Sequence, residues 1–104
     1  MTSFSLEKLK FLFESVVVDE DSQDIMCTKK INKLICTVFI PIYESHATIY
    51  LSSEENKNLF LELRIKHVLD IELTNKNIFF YYEDNKALVI NLYIVPYISI
   101  KFKT

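Results

Sequence analysis

Leu59-Phe60-Leu61-Glu62-Leu63-Arg64-Ile65-Lys66-His67-Val68-Leu69-Asp70-Ile71-Glu72-Leu73 admits two secondary structures, and the choice separates a β-rich chain from one with a second long helix. Leu59, Leu61, Leu63 and Ile65 alternate with Phe60, Glu62, Arg64 and Lys66, and the same odd parity resumes at Leu69, Ile71 and Leu73. Successive side chains of a strand point to opposite faces, so a repeat of two gathers these aliphatics on one side. The rival is a helix opened by Ser52-x-x-Glu55, a spacing that can form a capping box. On a 3.6-residue repeat the leucines scatter around the axis and leave no apolar stripe. Strands are therefore expected here. Because strands average about 5–6 residues, the run should break in two, with the bend near Lys66-His67.

Toward the C-terminus, Thr74-Asn75-Lys76-Asn77 and Glu83-Asp84-Asn85-Lys86 read as hairpin turns. Asn and Asp tolerate the left-handed backbone and stand in for glycine, which this chain lacks altogether. Beyond the second turn Leu88, Ile90, Leu92 and Ile94 share a face, Pro96 interrupts, and Ile98, Ile100 and Phe102 alternate with Ser99, Lys101 and Lys103. Toward the N-terminus, Ala47, Ile49 and Leu51 alternate. Residues 34–42 form a continuous apolar and β-branched run with Pro41 at its end, the pattern of a strand covered on both faces.

Residues 5–18 carry the other repeat. Ser5 is placed to cap a helix, Glu7 lies in its first turn, and Phe4 can staple to Leu9. Leu6, Leu9, Leu12, Phe13, Val16 and Val17 share a stripe, while Phe11 falls on the polar side. The expected fold is α+β: an N-terminal helix packed on a mostly antiparallel β meander of about 5–7 strands. At 104 residues one domain is expected, with helix 5–18, an acidic loop 19–24 and a β-rich part 25–104.

Composition excludes several functions. Without glycine, no loop can wrap a phosphate closely, so there is neither a P-loop nor a dinucleotide fingerprint. Net charge is −2 and Arg64 is the single arginine, which argues against nucleic-acid readout. Lys29, Lys30 and Lys33 read as a solvated strand edge. No apolar run approaches the ~20 residues of a membrane span, and the first residues lack a basic segment and cleavage site. A cytoplasmic protein with reduced Cys27 and Cys36 is the expectation.

No catalytic, cofactor or metal residue stands out. His46 and His67 are the only histidines, and nothing in the sequence joins them as acid and base; His67 falls in an inward slot at the strand bend. Cys27, Cys36, His46 and His67 are separated by 9, 10 and 21 positions, which lacks the close cysteine pairing of zinc sites. A serine nucleophile elbow needs glycine. Glu44, Glu62, Asp70 and Glu72 fall outward on strands as solvated charge. A non-catalytic protein is expected.

The remaining clusters point to a protein partner. Asp19, Glu20, Asp21 and Asp24 place four carboxylates within six residues, and lack the central glycine and closing glutamate of a calcium loop. Tyr81, Tyr82, Glu83 and Asp84 join aromatic anchors to acids in one segment. Clustered like charge steers a basic partner and raises its on-rate.

By size, acidity and these two clusters the chain resembles the immunity proteins of bacterial contact-dependent growth-inhibition systems. That resemblance implies one-to-one binding of a cognate toxin domain, commonly a basic nuclease, with no catalysis. Alternatives are a pleckstrin-homology-like interaction module, a viral or parasite scaffold protein, and a small hydrolase using His46 and His67. The helix of a pleckstrin-homology-like module usually comes last, whereas here it is expected first.

Overall fold

The computed structural model describes residues 5–41, 43–82, 89–94 and 98–103, with the backbone alone at Tyr82, Val89 and Lys103. It begins with α1 (Leu6–Leu12), capped by Ser5, whose hydroxyl accepts from the Lys8 N–H at 3.4 Å. Leu9 and Leu12 are buried and Phe11 is 73% exposed, as the helical stripe requires, but Leu6, at the first position of the short helix, is 41% exposed. The helix is shorter than residues 5–18. Phe13 leaves the helical backbone, and Val16, Val17 and Val18 fall in strand β1 (Ser15–Val18) instead. Three consecutive β-branched residues favour an extended backbone, and their pairing with β2 (Ile25–Ile31) outweighs two further helical turns.

The β1–β2 connection is residues 19–24. Cross-strand pairing continues through β3 (Leu34–Ile40), β4 (His46–Ser53) and β5 (Leu59–Lys66) as a five-stranded antiparallel sheet in simple meander order. One register row crosses all five strands: Val16, Cys27, Val38, Ile49 and Leu63. This row faces inward. The opposite row of Val17, Met26, Phe39, Thr48 and Arg64 lies on the other face, where Val17 is 60% and Met26 47% exposed while Thr48, in the middle of β4, is covered at 2%. The β3 run is thus fully buried at Cys36, Val38 and Ile40 and only half-covered on the others, while buried Pro41 ends it as expected. Lys29 and Lys30 lie in β2 beyond its last pair with β1, Ser15 with Thr28, so that side of β2 is an edge there, and Lys33 lies in the turn after it.

The bend at His67 divides the meander. His67 takes φ 57°, and β6 (Val68–Leu73) leaves to head a second, four-stranded antiparallel sheet with β7 (Asn77–Tyr82), β8 (Val89–Tyr93) and β9 (Ser99–Lys103). The Val68 N–H donates to the Ser45 carbonyl at 2.8 Å, so the ladder of β4 and β5 continues one step past the bend. Two strands with a break at His67, and no helix over residues 54–68, is the expected arrangement. The Ser53 hydroxyl accepts from the Glu55 N–H inside the β4–β5 turn rather than capping a helix. Counting β1 and β2, the described residues form nine strands, more than the 5–7 expected, because the valine run and residues 25–31 both pair.

Rows Leu73–Ile78–Leu92–Ile100 and Ile71–Phe80–Ile90–Phe102 cross the second sheet. Their buried members join Leu9, Leu12 and Phe13 and the inner residues of the first sheet in one apolar cluster. The Cα radius of gyration, 13.1 Å, is that of a compact chain of this length.

Positive φ occurs at Gln23, Asn32, Lys33, Lys57 and His67. Asn32 and Lys33 form a two-residue hairpin turn between paired Ile31 and Leu34, the turn that demands left-handed backbone at both positions. With no glycine, long side chains take these positions. The 74–77 turn is made differently. The Thr74 hydroxyl donates to the Asn77 side-chain oxygen, and the buried Asn77 amide donates to Asn91 Oδ1 at 2.8 Å. The 83–86 turn lies outside the described residues.

Candidate functional site

The acidic loop is a built turn. Asp19 Oδ1 accepts from the N–H groups of Asp21 at 2.9 Å and Ser22 at 3.0 Å, and the Asp19 N–H donates to the Asp24 carbonyl at 2.9 Å. These bonds to the ionised form, chiefly the one from Ser22, hold the Asp19 carboxyl below its usual range. Glu20, Asp21 and Asp24 have neither an ion pair nor a side-chain hydrogen bond among the described residues. The cluster therefore divides by role. Asp19 shapes the turn, and the other three present unneutralised charge from it.

Tyr81 lies in the other sheet, on the outward face of β7. Its hydroxyl donates to Glu72 Oε2 at 3.1 Å, its ring stacks on Phe79 with centroids 6.3 Å apart, and Asp70 is its cross-strand partner. Partial burial, then Glu72 and Asp70, push its phenol above the ordinary tyrosine range. Further across the same face Lys101 stands 5.4 Å from the Tyr93 ring centroid. The face thus runs from acids on β6, through the rings of Phe79, Tyr81 and Tyr93, to a lysine on β9. Sequence reading isolated Tyr81 but not this face, because its members come from four strands. The alternation of Asp70, Glu72, Phe79, Tyr81 and Lys101 with buried aliphatics was the available signal. The side chain of Tyr82 and residues Glu83 and Asp84 lie outside the described residues.

The histidines are closer than the sequence indicates. His46 pairs with Lys66, the residue before His67, so both stand at the same corner of the first sheet. His46 Nδ1 lies 3.2 Å from Glu44 Oε2. His67 is exposed and not inward, because its left-handed backbone turns the chain at that point. No group of three or more His, Cys, Asp or Glu residues is gathered as metal ligands among the described residues. Among the described residues, no helix is long and apolar enough to cross a membrane.

Cys27 and Cys36 are free, buried and on the same inner face. Burial pushes both thiols up to about 12, with Cys36 adding to the shift at Cys27. At pH 8 a disulfide reagent should label both at least ~100-fold more slowly in the folded protein than in denaturant, since the thiolate is the nucleophile. A raised folded value means that stability is intact below the ordinary thiol value of 9.0 and falls as pH climbs toward about 12. Rapid labelling of both thiols without unfolding would contradict this packing.

A shallow cavity of about 280 Å³ lies between α1 and the β6–β7 turn, lined by Ser5, Glu7, Lys8, Phe11, Thr74 and Asn75. It is open and without a convergent set of catalytic groups. No family model matches this chain, and no curated protein or solved structure matches it either.

Proposed function

We propose that this protein is a non-catalytic binding protein of the cytoplasm, an immunity protein that neutralises a cognate toxin domain by one-to-one binding. The partner is a basic protein, a nuclease in the reading that the resemblance to immunity proteins implies. The observation that carries this proposal is the β1–β2 turn, where Asp19 is consumed in holding the backbone while Glu20, Asp21 and Asp24 remain unneutralised. A preformed turn displaying three unpaired carboxylates attracts cations at low entropic cost. The aromatic face around Tyr81 supports the reading as a source of anchors that act after encounter.

Affinity capture from the native host, followed by titration calorimetry on the recovered protein, tests the proposal. A basic protein binding one copy per chain, with its enzymatic activity suppressed at saturation, is the expected result. Recovery of no basic partner, or of one whose activity persists when saturated, would overturn it.

A further inference from the structure

We infer that the free edge of β5 is a self-association surface, on which a second copy of this chain pairs its own β5 antiparallel about a two-fold axis at Leu63. β5 is the last strand of its sheet, and among the described residues it pairs only with β4. At eight residues it is the longest of the four edge strands, and Leu59, Phe60 and Leu61 are 54%, 63% and 37% exposed. A long apolar edge with open hydrogen-bonding groups is a template for another strand, and natural proteins usually cover or blunt it.

The occupant follows from the residues. Glu62 and Arg64 have no ion-pair partner among the described residues, and both point to the outward face. Antiparallel pairing centred on Leu63 sets Glu62 opposite Arg64 of the second copy, and the symmetry repeats that pair. It also sets Leu61 beside Ile65, continuing the inner apolar row. Other centres are worse. An axis at Glu62 or Arg64 sets that charge directly against its own copy. Moving the axis to Ile65 opposes Arg64 with Lys66. Moving it to Leu61 puts Phe60 against Glu62 and places the register irregularity between Leu51 and Ser52 in the middle of the new ladder. A shift of one residue would put charges against the apolar row. The regular segment, Leu61 to Lys66, is bounded by that irregularity on one side and by the His67 bend on the other, and Leu63 is one of its two central residues. An isologous two-fold contact of this kind closes on itself and does not propagate. It does not depend on the toxin-binding reading, because it uses neither the acidic turn nor Tyr81.

Sedimentation velocity over a range of concentrations, at low salt, tests the pairing with Glu62→Arg, Arg64→Glu and the double swap. Both residues are exposed, so the fold, checked by circular dichroism, should persist. The unaltered chain should form a reversible dimer. Each single change converts two attractive cross-strand pairs into two repulsive ones and should weaken the dimer about tenfold or more. The double swap restores opposite charges at both positions and should return the affinity to within about threefold. A chain that stays monomeric at the highest concentration would overturn the inference. So would single variants that dimerise as well as the unaltered chain, or a double swap that fails to recover.

Discussion

Truncation of Phe80 to alanine should lower the free energy of unfolding by about 3–5 kcal/mol, the range for deleting a buried aromatic ring. Phe80 is 0% exposed and sits in register between Ile71 and Ile90, in the cluster that joins both sheets to α1. Its removal loses the transfer free energy of the ring and leaves a space that a central strand of a hydrogen-bonded sheet cannot close. A domain of this size is stable by about 5–15 kcal/mol, so the variant should approach the unfolding threshold. Its melting temperature should drop by roughly 15 °C or more. Urea and thermal unfolding followed by circular dichroism give the measurement. Phe11→Ala, at 73% exposure, is the matched control and should change stability by no more than about 0.5 kcal/mol. A Phe80 variant less than about 1 kcal/mol weaker than the parent would mean that the two sheets do not share this core.

Neutralising the three free acids of the β1–β2 turn should slow association with the basic partner by about 10–100-fold at low salt. The variant is Glu20→Gln, Asp21→Asn and Asp24→Asn together. Asp19 is left in place because its carboxylate holds the N–H groups of Asp21 and Ser22, and changing it would disturb the turn as well as its charge. The off-rate should move by less than about threefold, since long-range charge acts before contact. As salt rises to 1 M the Debye length falls to about 3 Å and the two on-rates should converge. Tyr81→Ala should behave oppositely, with a faster off-rate and a nearly unchanged on-rate, as expected of an anchor. Surface plasmon resonance at several salt concentrations separates the effects. Equal on-rates for parent and triple variant at low salt would reduce the turn to ordinary solvated charge.

The candidate surface was legible in the sequence only where it is local. Asp19 to Asp24 are neighbours along the chain, and the tendency of Asp to accept from N–H groups two and three positions on is a property of a few residues. Their position outside the core followed from charge alone. That Asp19 is consumed while Glu20, Asp21 and Asp24 are free required the turn itself. Tyr81 was visible as an aromatic, but its contacts with Glu72 and Phe79 depend on the β6–β7 register. The proximity of His46 to His67 likewise comes from the pairing of β4 with β5.

The alternation of Leu61, Leu63 and Ile65 with Glu62 and Arg64 was enough to establish a strand, and the usual length of strands put its break near Lys66-His67. The same parity carried past the bend placed Leu69 inward, whereas Val68 is buried and Leu69 is 45% exposed, because the register shifts between Val68 and Asp70. Ser5 and the spacing of Leu9 and Leu12 were enough to start a helix. They could not end it. Val16 and Val17 satisfy the helical stripe as well as a strand, and what settles them is a partner, the backbone of Ile25 to Thr28, brought alongside by the Asp19 turn. The division into sheets of five and four strands has the same origin. His67 marks a bend in either reading, but whether the chain past it stays in the old sheet or founds a new one depends on hydrogen bonds to β7, which begins ten residues after His67. Periodicity is a property of a segment and is carried by the chain itself. Pairing is a property of two segments, and it appears only when the whole core is buried at once.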